Sequence, residues 1–173
     1  MKRSQMVAFS AVSAALCSLL LTVGAYFGFL DVSCYMFASV VLMIPLAFGS
    51  ILGAFLAYLA GGLLALLFSG GNFFSILPYA VFFGLHPIAN ALCKKFRINQ
   101  ILAYFVKALW FDGAVYLMYR VFQVFTVEIA FIVDNMIWII LVGGTLLFAL
   151  YDFIMIRMQG VVAYYLKRMN LKK

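Results

Sequence analysis

The sequence predicts an all-α integral membrane protein, built as a six-transmembrane-helix bundle with both termini cytoplasmic. The chain of 173 residues is 68% hydrophobic and only 10% charged, whereas a soluble domain is about half apolar and about a quarter charged. At about 20 residues per span, this length accommodates five to seven helices. We therefore expect a single transmembrane domain over residues 1–173 and no separate soluble domain.

The placement of the charges predicts the orientation. Basic residues cluster at positions 2–3, 94–97 and 167–173, whereas the acidic residues Asp31, Glu128 and Asp134 lie in the other connections. Positively charged loops stay in the cytoplasm, so both ends and the turn at 94–97 are predicted to be inside. We interpret the net charge of +7 as topology rather than as a nucleic-acid patch, because no basic face with exposed aromatics exists outside the apolar runs.

The first predicted helix, about Gln5–Phe29, carries two rows of small residues at four-residue spacing. Ala11 and Ala15 form one row, and positions 10, 14 and 18 form the other. Small residues at this spacing let another helix approach closely, either within the bundle or from a partner subunit. No small-residue cleavage site follows the apolar run, so we expect this helix to be retained rather than removed as a signal sequence.

The next two predicted helices are about Tyr35–Leu46 and Gly49–Phe68. The former is short and meets Pro45, which predicts a tilt or a break. The latter again carries small residues at four-residue spacing. Asp31 precedes this pair of helices in the first outer connection, where a carboxylate either contacts a ligand or is simply solvated.

The predicted fourth helix, about Phe74–Leu92, contains Pro87, which is expected to kink it and to free a carbonyl. The fifth runs from about Gln100 to Phe125. The sixth begins near Ile129 or Asn135, continues toward Tyr165, and has a glycine pair at 143–144 that favours a bend. The outer connection before it carries Glu128.

Ionisable side chains in the inner half predict an internal charge network. Residue counting places four such residues at that depth: Lys107, Asp152, Arg157 and His86. We expect them to pair, because an unpaired buried charge is far more costly than a pair. Alternatively, Lys107 and Arg157 extend to the cytoplasmic surface, and His86 is a hydrogen-bonded packing residue.

A second group of polar residues predicts a ligand site in the outer half of the bundle. Asp112 lies near the middle of the membrane, and Tyr116 and Arg120 continue its face toward the outer side. A charge at that depth binds a ligand or pairs across the bundle for packing alone. Weaker candidates for the walls and lid of this site are Tyr79, Asn72, Trp110, Trp138 and Asp31.

Catalytic and metal-binding chemistry is not expected. The sequence contains no GxSxG, HExxH, Walker A or CxxC motif, a single His, and three widely spaced cysteines. We therefore expect no enzyme activity, no metal and no cofactor. Without a P-loop, any use of ATP must come from a partner.

The chain resembles the substrate-binding S components of energy-coupling factor (ECF) transporters, the prokaryotic vitamin and micronutrient uptake systems. The AxxxA pattern of that family is matched by Ala11-Val-Ser-Ala-Ala15. An uncharacterised group of S-component-like proteins is similar in two further segments, PYAVFFGLHPIANAL and FVKALWFD. The resemblance implies a plasma-membrane subunit that works with a coupling subunit and an ATPase pair. It also implies that a small molecule binds near the outer face, between helices 4, 5 and 6 and under the outer connections. It implies that Ala11 and Ala15 face the coupling subunit. The ligand signatures of the riboflavin, thiamine, biotin and folate members are absent, so the substrate is open.

An alternative comes from a different class of protein. Membrane scaffolds of the rod-shape-determining cell-wall machinery have a similar size and topology. Such a scaffold binds protein partners and holds no ligand. The polar face formed by Asp112, Tyr116 and Arg120 favours a ligand pocket over a scaffold.

Overall fold

Six helices organise the structure, a computed structural model that describes residues 3–120 and 134–170. All six are long and apolar enough to cross a membrane, which fits a multi-pass membrane protein, and the described residues contain no strand. The helices are α1 (Arg3–Tyr26), α2 (Asp31–Ala47), α3 (Ile51–Phe68), α4 (Phe73–Lys95), α5 (Gln100–Arg120) and α6 (Met136–Leu166, helical to Asn170). The predicted connection that carries Glu128 lies mostly outside the described residues.

The helices alternate in direction, so the bundle has two distinct ends. At the basic end, which carries the turns at 48–50 and 96–99, the rings of Phe9 and Phe48 stack with centroids 4.8 Å apart. At the opposite end, which carries the connections at 27–30 and 69–72, the Tyr26 hydroxyl donates to the Phe68 carbonyl over 3.0 Å. The predicted inner side corresponds to the basic end.

Small residues bring α1 and α3 into close contact. A Cβ atom added at Gly61 of α3 would lie 2.8 Å from the Cβ of Cys17 and 3.2 Å from the carbonyl oxygen of Ala14. Ala14 and Ser18 are buried here, whereas Ala11 and Ala15 are exposed on the outer surface of the bundle. The two rows of α1 therefore have different surroundings: one packs inside, and the other faces away from the remaining helices.

Helix α2 starts earlier than predicted, whereas helix α6 starts close to one of its two predicted positions. Helix α2 begins at Asp31 rather than near Tyr35, because an acidic residue in the first turn interacts favourably with the helix dipole. Pro45 lies in its last turn, and the helix ends two residues later at Ala47 without an earlier break. Helix α6 begins at Met136, close to the later of the two predicted starts.

The predicted irregularity of α4 is present and its free carbonyls are paired. A π-helical segment, Tyr79–Phe83, separates two α-helical segments, and Pro87 lies at the start of the second. Proline cannot donate to the carbonyl four residues earlier, and the Ser39 hydroxyl of α2 donates to that Phe83 carbonyl over 2.6 Å. The Tyr58 hydroxyl of α3 donates to the Ala80 carbonyl over 2.7 Å. Side chains of α2 and α3 thus hold the distorted helix in place.

Helix α6 also contains a π-helical segment, Ile139–Gly144, which ends at the predicted glycine pair. This segment packs against α5. Helices α4 and α6, which contain the π-helical segments, both take part in polar contacts with α5.

Candidate functional site

A cavity of about 620 Å³ opens at the opposite end of the bundle. We call it the opposite-end cavity. Its walls are the start of α2, the first half of α4 and the second half of α5, and no residue of α6 within the described range lines it. The polar lining consists of Asp31, Tyr35, Asn72 and Ser75, and the aromatic rings beside them are Phe74, Phe82, Phe83 and Phe111.

The polar residues of the opposite-end cavity are fixed by local structure. Asp31 is the first residue of α2. The Asn72 side chain caps the start of α4, where its Oδ1 accepts from the Ser75 backbone N–H over 3.3 Å. The Tyr35 hydroxyl donates to the Ser75 carbonyl over 2.6 Å. The rim of the cavity is therefore held by contacts between α2 and α4.

Asp31 gives this cavity its electrostatic character. The described lining contains this carboxylate and no Lys, Arg or His. Its Oδ1 atom is buried and has no hydrogen-bond partner among the described residues. This atom lies next to Gly24 of α1. The residue also lines the cavity, where its carboxylate can accept a hydrogen bond from an incoming group.

Asp112, the strongest candidate from the sequence, lies elsewhere. It is 5% exposed, and the Thr145 hydroxyl of α6 donates to its Oδ2 over 2.9 Å. Its Oδ1 has no partner among the described residues. Asp112 and Tyr116 line a separate groove of about 340 Å³ between α5 and α6, and Arg120 is exposed at the end of α5.

The rotation of α5 explains this placement. One face of α5 lines the opposite-end cavity with four residues at helical spacing: Phe111, Ala114, Val115 and Met118. The polar face that begins at Asp112 is turned toward α6. The ligand site predicted between helices 4, 5 and 6 therefore corresponds to two separate spaces, one between α2, α4 and α5 and one between α5 and α6.

The remaining wall candidates have different environments. Tyr79 is fully buried in the core, where its hydroxyl donates to the Tyr58 carbonyl over 3.4 Å. Trp110 packs against Phe82, with ring centroids 5.2 Å apart, and Trp138 is 68% exposed. Asp31 and Asn72 are the sequence candidates that line the opposite-end cavity. Tyr35 and Ser75 were not predicted, although each lies within four residues of one of them.

A second polar cluster lies in the interior toward the basic end. We call it the basic-end network, and it consists of His86, Asn90, Lys107 and Asp152. Asp152 Oδ1 accepts from Lys107 Nζ over 2.6 Å and from His86 Nε2 over 2.9 Å. Lys107 Nζ also donates to Asn90 Oδ1 over 2.8 Å. All four residues are buried, and together they join α4, α5 and α6.

The structure brings together three of the residues predicted for the charge network and leaves out Arg157. This residue is exposed, and its guanidinium carbon lies 5.4 Å from the centroid of the Phe153 ring. Five residues correspond to about 140° around a helix, so Arg157 cannot share the face of Asp152. Asn90 was not predicted, although it lies one helical turn after His86.

The network is balanced in charge and suited to a structural role. Lys107 and Asp152 are oppositely charged, and the His86 N–H at Nε2 is the donor that the carboxylate requires. No group of three or more His, Cys, Asp or Glu side chains with metal-binding geometry occurs within residues 3–120 and 134–170.

Comparisons with protein-family models, with curated proteins and with solved structures find no match for this chain.

Proposed function

We propose that this protein is the membrane-embedded substrate-binding subunit of an ECF-like uptake transporter for a small polar micronutrient. A coupling subunit and an ATPase pair would supply ATP hydrolysis. The observation that carries the proposal is the opposite-end cavity, in which Asp31 lies among aromatic rings. Ligand pockets typically measure about 300–1,000 Å³ and combine apolar walls with a few polar groups.

The distribution of charge supports an orientation with this cavity outside. Lys94, Lys95 and Arg97 lie at the basic end, and Asp31 lies at the opposite end. With basic loops retained in the cytoplasm of a prokaryotic plasma membrane, both termini would be cytoplasmic. The cavity would then open toward the side from which a nutrient arrives.

The lining indicates the chemistry of the ligand. A molecule with an N–H or O–H donor would provide a hydrogen bond to the Asp31 carboxylate, which lines the cavity. Its apolar or flat part would pack on the rings of Phe74, Phe83 and Phe111. A scaffold that binds only proteins has no use for such a cavity, which favours the transport proposal over the scaffold of the cell-wall machinery.

Asp31→Asn is expected to weaken ligand binding by at least about tenfold, corresponding to roughly 1.4 kcal/mol. The substitution preserves the size of the side chain and removes the charge that accepts from the ligand. The ligand released from the purified wild-type protein by denaturation would be added back to each variant, and its affinity measured by calorimetry.

Asp112→Asn is the matched control, because this buried carboxylate does not line the opposite-end cavity. Its affinity is expected to stay within about twofold of the wild type. A large loss in Asp112→Asn with none in Asp31→Asn would instead place the ligand in the groove between α5 and α6.

The exposed small residues of α1 support the partner in this proposal. Ala11 and Ala15 lie on the surface of the bundle, next to the exposed Val12 and Leu19. A surface of small residues permits close approach by a helix of another subunit. We assign this face to the coupling subunit, as the ECF resemblance implies.

Replacement of both Ala11 and Ala15 by Trp is expected to abolish co-purification with the coupling subunit. The thermal stability should change little, because both side chains already point away from the bundle. Leu147→Trp on the exposed face of α6 is the control and should assemble normally. Normal assembly of the double variant would contradict the assigned docking face.

A further inference from the structure

The basic end contains the largest of the cavities described here, of about 710 Å³. It lies between the turn that joins α4 to α5 and the inner part of α6, and we call it the basic-end cavity. Lys94, Arg97 and Lys107 line it, together with the single carboxylate of Asp152. Three basic side chains and one acidic side chain give the described lining a formal charge of +2.

Lys107 forms the inner wall of this cavity and retains hydrogen-bonding capacity. Its ammonium group has three donors, of which Asp152 Oδ1 and Asn90 Oδ1 accept two. Lys107 is 7% exposed and also lines the cavity. Its third donor has no hydrogen-bond acceptor among the described residues, and the ammonium lies 5.9 Å from the centroid of the Phe148 ring. The Asp152 carboxylate repels an anion less than a free carboxylate would, because Lys107 and His86 both donate to it.

Arg97 lies at the mouth of the basic-end cavity in an unusual backbone conformation. Its φ is +53°, in the left-handed region that glycine and asparagine adopt at lower cost. Its side chain is exposed and has no hydrogen-bond or ion-pair partner among the described residues. The turn thus carries an available guanidinium. The Lys94 ammonium lines the same cavity and donates to Gln159 Oε1 over 2.7 Å.

The start of α5 adds to the positive potential. Gln100 and Ile101 line the basic-end cavity, and the first N–H groups of a helix carry partial positive charge. Asn99 Oδ1 accepts from the Ile101 N–H over 2.9 Å, which leaves other N–H groups of this turn for an incoming oxygen.

We propose that the basic-end cavity binds a phosphate-bearing anion. Arg97 and Lys94 hold the phosphate oxygens at the mouth, and Lys107 adds positive charge from the inner wall. Guanidinium and ammonium groups form short, charge-assisted hydrogen bonds to phosphate. The phosphate belongs either to an anionic lipid headgroup of the adjacent leaflet or to a free ion. This site is distinct from the opposite-end cavity, and the proposal does not depend on transport.

The test compares two variants that each remove one positive charge from the same turn. Arg97→Gln removes a residue that lines the basic-end cavity, whereas Lys95→Gln removes an exposed neighbour that does not. Inorganic phosphate is titrated into each protein in a maltoside detergent, and its affinity is measured by calorimetry. In a parallel experiment phosphatidylglycerol is added, and native mass spectrometry measures the number of lipid molecules that stay bound to each protein. Binding to Arg97→Gln is expected to fall by about tenfold, and binding to Lys95→Gln by less than about twofold.

Each outcome has a defined meaning. Selective loss of inorganic phosphate supports the proposal with a free ion as ligand, and selective loss of phosphatidylglycerol alone supports it with a lipid as ligand. Failure of the wild-type protein to bind either probe overturns the proposal. Equal losses in the two variants also overturn it, because they would indicate only the general charge of the turn. Thermal unfolding of both variants verifies that neither substitution perturbs the fold.

Discussion

Lys107→Met is expected to lower the free energy of unfolding by about 3–5 kcal/mol, the effect of breaking a buried ion pair by removing one partner. Lys107 and Asp152 are both buried and joined over 2.6 Å. Methionine fills a similar volume but leaves the Asp152 carboxylate with His86 as its remaining partner within the described network. Unfolding in a denaturing detergent, followed by circular dichroism, measures the loss.

The double variant Lys107→Met with Asp152→Asn tests whether the two charges act as a pair. Asp152→Asn removes the unpaired charge, so the double variant should be more stable than Lys107→Met alone. Simple addition of the two single effects would show that the groups are not coupled. Arg157→Met is the matched control on α6, and because Arg157 is exposed, its effect should stay within about 0.5 kcal/mol.

Gly61→Ala is expected to destabilise the protein by about 1–3 kcal/mol, although alanine is the better helix former. The added Cβ would lie 2.8 Å from the Cβ of Cys17, an atom fixed to the backbone of α1. The two helices must therefore separate where their small residues meet. The same detergent unfolding assay measures the change.

Gly62→Ala provides an internal reference one residue further along α3. There the added Cβ would lie 3.4 Å from the Tyr79 ring, an ordinary contact, so the variant should gain up to about 1 kcal/mol from helix propensity. Equal effects at the two glycines would contradict the close packing of α1 against α3.

The sequence was sufficient to predict the six helices because each is a long apolar run, and their ends coincide with turns, prolines and charges. It was also sufficient to group Lys107, Asp152 and His86, since buried charges in an apolar bundle need partners and their depths match. Arg157 was grouped with them by depth alone. Arg157 lies about 140° around α6 from Asp152. A prediction from depth alone, without the rotation of the helix, therefore assigns too many residues to such a network.

The proposed ligand site was harder to predict, because the rotation of α5 is decided by packing between helices. The sequence shows that Asp112, Tyr116 and Arg120 share a face, but not which neighbour that face meets. In the structure Asp112 accepts from Thr145 of α6, and the apolar face with Phe111 and Val115 lines the opposite-end cavity. Asp31 looked like a loop residue because it lies between two apolar segments, although an acidic residue is favourable in the first turn of a helix.

The central claim, that the opposite-end cavity holds a small molecule, is tested most directly by native mass spectrometry of the purified protein. Val115 is half-buried and lines the cavity, so Val115→Trp would place an indole inside it. Leu117→Trp is the control, because Leu117 lies on an exposed face of α5 that does not line the cavity. We expect a retained small molecule in the wild-type protein and in Leu117→Trp, and its loss in Val115→Trp. Equal retention in all three proteins, or no retained molecule and no binding of added micronutrients to the wild type, would contradict the claim.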